Sequence, residues 1–319
     1  GAWSLGGRSS RIGPSRPWTH LDFDNHPDKF TFALFSDLTG GERAGVFEVA
    51  IGQLRLLRPE FIVNVGDLIE GGTSDREALA REWESFDQRA QRARAPIFYT
   101  GGNHDLTNPV MWKVWEERYG RRYYHFIYKN TLFLMLDTED NTVEKQWELS
   151  AIRDRSMEVV AKEGWGAFRD TEYGRSTLRS SGRISAGQAA YFEQVIAANP
   201  DVRHTFVLMH KPAWERPGEE YFAAVEAALS GRPYTVFYGH VHAYQHQKRH
   251  GSDYIQLATT GGIQNLKKDM AIDQVSLVTV SESGVDIANL RLSGIFGKDG
   301  SIPGNGDALC FNIRECSAP

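Results

Sequence analysis

The sequence predicts a layered α/β fold. Short apolar strands alternate with helical stretches, the strands read as continuous apolar runs, and several runs end directly on Asp, Asn or His. Continuous apolar strands belong to sheets covered on both faces. In such sheets, groups beyond the carboxyl ends of the strands collect on one rim, where ligands bind. The chain has 319 residues, 41% of them hydrophobic, enough for one large domain with additions.

Residues 1–29 read as an irregular arm, rich in Gly, Ser, Arg and Pro up to Pro17 and without a signal-peptide pattern. The main domain is expected over 30–295 and a tail over 296–319. Phe30–Phe35 is the first buried strand and runs into Ser36-Asp37. A helix is expected from about Glu42 to Arg58, with Val46, Val49, Ala50, Leu54 and Leu57 at helical spacing and Pro59 closing it. The second strand, Phe61–Val65, runs into Gly66-Asp67. Ser74 is the expected cap of a charged helix reaching about Arg94. The third strand, Ile97–Tyr99, runs into Gly101-Gly102-Asn103-His104-Asp105.

A helix over Pro109–Tyr119 sets Met111, Trp112, Val114 and Trp115 against the sheet. Tyr123–Tyr128 and Thr131–Leu136 read as a hairpin turning at Lys129-Asn130. Over 139–183 the chain turns polar, helical across Val143–Lys162 and then Gly-, Ser- and Arg-rich. It reads as an insertion at the site mouth, with a lid and a solvated loop both open. Ser185 caps a helix through Ala198. Thr205–Met209 delivers His210, a helix covers Pro217–Ser230, and Tyr234–Tyr238 delivers Gly239-His240-Val241-His242. Asp253–Ala258, Gln274–Val280 and Val285–Leu292 make the end of the chain β-rich.

With 36 basic against 41 acidic residues the net charge is −5, which implies no nucleic-acid surface, and no apolar run reaches the length of a membrane span. Cys310 and Cys316 lack zinc-site spacing. A disulfide between them is expected, which favours a periplasmic or secreted setting over a cytoplasmic one.

Asp, Asn and His at the strand ends are oxygen and nitrogen donors for divalent metals. His240 and His242, two apart on an extended segment, are expected to point the same way. Asp67, in the middle of the set, is the natural bridge between two ions roughly 3.5–4 Å apart. A histidine can serve as an acid near neutral pH, and His104 is the expected acid for a leaving oxygen, with Asp105 expected to orient its ring.

Taken together, Ser36-Asp37, Gly66-Asp67, Gly102-Asn103-His104-Asp105, His210 and Gly239-His240-Val241-His242 resemble the calcineurin-like metallophosphoesterases in order and spacing. The resemblance spans about residues 30–292. It implies a four-layer αββα sandwich carrying two divalent ions (Mn, Fe or Zn), a small-molecule phosphate ester as substrate, and a metal-bridging hydroxide as nucleophile. It assigns Asp37, Asp67 and His242 to one metal, and Asp67, Asn103, His210 and His240 to the other. His104, with Asp105 behind it, falls at the leaving group.

One position departs from the family. Its first motif is usually Asp-x-His, and here Thr39 stands at the His position. Purple acid phosphatases also lack that His but use a Tyr after the Gly-Asp motif, and here Leu68-Ile69-Glu70-Gly71-Gly72 follows. Thr39 either caps the next helix, whose start with Gly40 and Gly41 can hold a phosphate oxygen, or ligates directly. Arg43 and Lys211 are the candidates for neutralising a phosphate. A phosphomonoesterase or phosphodiesterase is the expectation; a metal-binding protein with lost or altered catalysis is the alternative.

Overall fold

The order of strands is set by which faces can be buried. The computed structural model describes residues 19–20 and 23–316, so most of the arm expected over 1–29 lies outside the described residues. The strands are β1 (Phe30–Phe35), β2 (Phe61–Asn64), β3 (Ile97–Phe98), β4 (Tyr124–Tyr128), β5 (Thr131–Met135), β6 (His204–Leu208), β7 (Tyr234–Tyr238), β8 (Gln245–Arg249), β9 (Ser252–Gln256), β10 (Gln274–Ser281) and β11 (Gly284–Arg291). They form two mixed sheets, in the orders β11-β10-β1-β2-β3 and β4-β5-β6-β7-β9-β8. β1, β2 and β3 are mutually parallel, and so are β5, β6, β7 and β9.

The helices are α1 (Val46–Leu57), α2 (Arg76–Ala90), α3 (Pro109–Tyr119), α4 (Val143–Glu163), α5 (Glu172–Arg175), α6 (Ala186–Ala198), α7 (Tyr221–Ala228) and α8 (Ile313–Cys316). Successive strand side chains point to opposite faces, so each sheet feeds two cores. On β1, Ala33 and Phe35 join Phe47, Leu54, Trp83, Phe86 and Trp115 from α1–α3. Phe30, Phe32 and Leu34 instead meet Phe133, Met135, Phe206 and Leu208 of the second sheet. Behind that sheet, Leu134, Val207 and Val236 pack on Phe192 and Ile196 of α6 and Phe222 and Val225 of α7. Three apolar seams between four layers make the αββα sandwich. Burial of each such side chain is worth about 1.5–3 kcal/mol.

Several boundaries differ from the sequence reading. α1 starts at Val46, not near Glu42, because Gly40, Gly41 and Gly45 all hold positive φ and delay the helix; its N-cap Gly45 has no side-chain cap, so Thr39 caps nothing. α2 is capped by Asp75, whose carboxylate accepts from the Glu77 and Ala78 amides, and ends at Ala90. α7 begins at Tyr221, after Pro217 and Gly218 have been used in a turn. β8 was not legible at all, since Gln245-His246-Gln247-Lys248-Arg249 is a polar edge strand with no apolar period. The hairpin turn falls on Lys129 and Asn130, both at positive φ as a tight two-residue turn requires.

The insertion is helical as expected and anchored from below: Gln146 on α4 donates to the carbonyls of Leu106 (2.9 Å) and Thr107 (3.0 Å). The segment after β11 folds back over α1, with Ile302, Leu309 and Phe311 packed on that core. Cys310 and Cys316 are disulfide-bonded. This strap holds the 263–269 loop, because Gln264 donates to Phe311 O (2.8 Å) and accepts from the Ile313 amide (3.3 Å). Among the described residues no helix is long and apolar enough to cross a membrane.

Candidate metal centre

The expected ligands converge from both sheets. Asp37, Asp67 and Asn103 follow β1, β2 and β3; His210 follows β6; His240 and His242 follow β7. Two groups result, each with its donor atoms mutually within 4.8 Å: Asp67, His210 and His240, and Asp37, Asp67 and His242. Asp67 belongs to both. Asn103 joins the first group, its Oδ1 lying 3.2 Å from His210 Nε2.

The backbone is contorted to achieve this. Asp37, Asp67, His240 and His242 all hold positive φ (53°, 59°, 75° and 58°), a conformation that costs of order 1–3 kcal/mol at a non-glycine residue. The extended geometry expected for His240 and His242 is therefore wrong: the segment is bent at both residues, and the two rings serve different groups. Two glycines allow the close approach. A Cβ at Gly102 would lie 2.2 Å from Asp67 Oδ1, and one at Gly239 would lie 2.5 Å from Asp37 Oδ2.

Hydrogen bonds fix which ring nitrogen each histidine presents. A carbonyl only accepts, so a ring nitrogen bonded to one must carry the proton. His210 Nδ1 donates to Val65 O at 2.9 Å, and His242 Nδ1 to Ile263 O. Both rings then present Nε2 inward. His210 Nε2 sits 3.1 Å from Asp67 Oδ2, and His242 Nε2 sits 3.2 Å from Asp37 Oδ1. With Nε2 unprotonated, lone pairs of nitrogen, carboxylate and amide oxygen converge in each group, an arrangement that a divalent cation would satisfy. The donor set fits divalent metals with mixed N and O preference.

The titrations follow the same logic. Burial pushes Asp67 up, but His210 and His104 outweigh it and hold its carboxyl well below the usual range. Burial pushes His210 down, but Asp67 outweighs it and raises the imidazole to about 9. Burial, Lys211 and His210 together keep His240 well below the ordinary histidine value.

His104 keeps its place at the rim, but its support is different from the one expected. Its Nδ1 donates to the carbonyl of Glu70 at 2.8 Å. Asp105 does not touch the ring. Its buried carboxylate accepts from the amides of Asp67, Leu68, Gly102 (2.8 Å each) and Ile69 (3.2 Å), so it braces the loops that carry Asp67 and Asn103. Glu70 was missed in the sequence. Its carboxylate accepts from the amides of Gly41 (2.9 Å) and Glu42 (3.0 Å), occupying the glycine turn expected to hold a phosphate oxygen. Burial raises Glu70, yet Thr39 and those amides outweigh it and hold it below the usual range. The Thr39 hydroxyl itself is buried without a well-formed hydrogen bond, beside that carboxylate.

The two candidate phosphate cations are committed elsewhere. Arg43 pairs with Asp273 and donates to Gly262 O, which ties it to the loop under the C-terminal strap. Lys211 is buried against Glu139 at 2.7 Å. Both partners are remote in sequence, so neither pairing was visible there. His125, His204, His246 and His250 bond to Tyr191, Thr235, Asp253 and Glu226, away from the centre.

A sandwich whose strand ends gather two ligand groups around one shared carboxylate defines a metal-dependent hydrolase class. The profile of the calcineurin-like phosphoesterases matches residues 30–244, and the chain belongs to that family. Its chemistry is phosphoester hydrolysis in general terms. Solved structures agree in fold. A dimetal phosphatase from Danio rerio is 15% identical and superposes with a TM-score of 0.56, covering 84% of this chain and 98% of that one. A structure described as PhoD is 10% identical (TM-score 0.51, 86% and 72% covered). The purple acid phosphatase PPD1 from yellow lupin seeds is 12% identical (TM-score 0.50, 86% and 52% covered). No curated protein matches the chain.

Proposed function

We propose that this chain hydrolyses small phosphate esters at a two-metal centre, with Asp37, Asp67 and His242 holding one ion and Asp67, Asn103, His210 and His240 the other. The observation that carries the reading is the membership of Asp67 in both ligand groups. When bound, such a pair supplies Lewis acidity at a phosphoryl oxygen and lowers the pKa of water. The protein's own part is positional. Val65 O and Ile263 O fix the tautomers of His210 and His242, and the His104 amide donates to Asp67 Oδ1 at 2.9 Å, which ties the loop carrying the acid to the shared carboxylate. With Nδ1 held by Glu70 O, His104 offers Nε2–H, when protonated, to a leaving oxygen. The Cys310–Cys316 bond supports an oxidising compartment, periplasmic or extracellular.

A second reading, a metal-binding protein with altered catalysis, is favoured by one observation: the Thr39 hydroxyl, at the position where the family usually has a His ligand, lies beside the Glu70 carboxylate. One experiment separates the two. Hydrolysis of p-nitrophenyl phosphate and bis(p-nitrophenyl) phosphate is followed for wild type and His104→Ala, with metal content measured on the same samples. Turnover that falls about 100-fold or more in the variant at unchanged metal content supports the hydrolase. Two metals per chain and no turnover of either ester would leave the binding protein.

A further inference from the structure

Arg153 on α4 carries a charge for which the fold supplies no firm partner. Its side chain is only 20% exposed, and its ion pair among the described residues is with the adjacent Asp154, at 3.9 Å. A guanidinium presents five N–H donors, and those of Arg153, held near the site without a close acceptor, are free to take one from a ligand. The site chemistry lies close by. A Cβ at Gly72 would come within 2.5 Å of Arg153 Nη1, so the 70–72 loop that holds His104 through Glu70 O abuts the guanidinium from the other side.

The guanidinium is part of the wall of a narrow cavity of about 20 Å³, which Asn103, Thr107, Ser150, Tyr173 and Lys211 also line. Asn103 belongs to the metal centre, so the cavity and the centre share a wall. Glu139, which also lines the cavity, neutralises Lys211 at 2.7 Å, which leaves Arg153, with only the long and exposed contact to Asp154, as the cation there most open to a ligand. The size admits one oxygen-bearing group and excludes a ring.

We infer that this cavity is a second anion subsite, in which Arg153 grips a carboxylate or phosphate that the substrate carries apart from the ester being cleaved. The inference rests on the proposed hydrolysis for where the ester lies. A planar guanidinium fork takes two oxygens of an oxyanion at once, which an ammonium does not. The substrate class is then a phosphate ester with a further anionic group on its leaving side, and the insertion sets specificity.

The test uses two substrate pairs of different reach: glycerol 3-phosphate against 3-phosphoglycerate, and phenyl phosphate against 4-carboxyphenyl phosphate. Each is followed by kcat/KM and, independently of turnover, by calorimetric binding to the metal-loaded protein. In wild type the charged member of at least one pair is favoured about tenfold or more, as one charge-assisted contact gives. Arg153→Gln removes that advantage through KM and leaves the uncharged member within about twofold, and Arg153→Lys restores part of it. Equal treatment of both members by wild type, or equal loss on both in Arg153→Gln, overturns the subsite. An Arg153-dependent binding preference without hydrolysis of any ester keeps the subsite and removes the hydrolase reading.

Discussion

The carboxylate of Asp105 accepts the backbone amide of Asp67 at 2.8 Å, so one acid holds the other through main chain. Because Asp105 also takes three further amides, removing it strands buried donors. Asp105→Ala is expected to lower unfolding free energy by roughly 3 kcal/mol or more in urea titrations. His104→Ala, at the partly exposed rim, is expected to stay within about 1 kcal/mol of wild type. An Asp105→Ala protein of full stability whose only change was a shifted pH–rate profile would return Asp105 to the role of ring orienter.

The shared carboxylate makes an asymmetric forecast for metal content. His242→Ala removes a donor from one group only, whereas Asp67→Asn weakens both. Elemental analysis after dialysis should find about one ion retained in His242→Ala and close to none in Asp67→Asn. Equal retention in the two variants would mean Asp67 does not bridge.

His204 gives a pH dependence away from the centre. Burial lowers its imidazole to about 4, against a partial pull upward from Asp253, and its Nε2 contacts Thr235 Oγ1 at 3.0 Å. The folded form therefore resists a proton that the unfolded chain accepts near 6.5. Stability from this residue is complete above that value and is lost as pH falls from 6.5 to about 4, by roughly 3 kcal/mol. His204→Gln should flatten that part of the stability–pH curve, as urea unfolding at pH 7 and 4.5 would reveal. Parallel curves for the two proteins would refute it.

The C-terminal strap reaches a candidate ligand in two steps. Phe311 O and the Ile313 amide hold Gln264, and its neighbour Ile263 supplies the carbonyl that fixes His242. Replacing both cysteines by serine, or Gln264→Ala, is expected to weaken metal at the Asp37 group about tenfold, as losses of outer-shell partners do. Competition with a chelator reads this, and the His210 group should be unmoved. If both ions weakened together, the strap would be acting on global stability instead.

Much of the candidate centre was legible because most of its residues close an apolar run: Asp37, Asp67, His210 and His240 could be set at strand ends from hydrophobicity alone. The layered α/β fold was legible for the same reason. What the pattern did not carry were interactions with main chain and partners remote in sequence. Asp105 looks like a histidine's neighbour in sequence and acts on amides in space. Arg43 meets Asp273 only after β10 has paired with β1. The start of α1 was misplaced because positive φ at Gly41 and Gly45 is invisible to periodicity. Arg153, on a charged helix, looked like any solvated residue.

The ligand groups draw on both sheets, and this bears on how the chain holds together. The two sheets meet through an apolar seam of Phe32, Phe133, Phe206 and their neighbours, edged by hydrogen bonds such as Tyr124 Oη to Tyr99 O at 2.9 Å. An ion held by Asp67 from one sheet and His210 from the other would act as a cross-link across that seam. It closes a loop of well over 100 residues, the regime in which chain-entropy arguments give a clip its largest effect on the unfolded ensemble. Loading with metal should therefore slow the separation of the sheets and suppress hydrogen exchange along the whole of β1 and β6, not only at the ends beside Asp37 and His210.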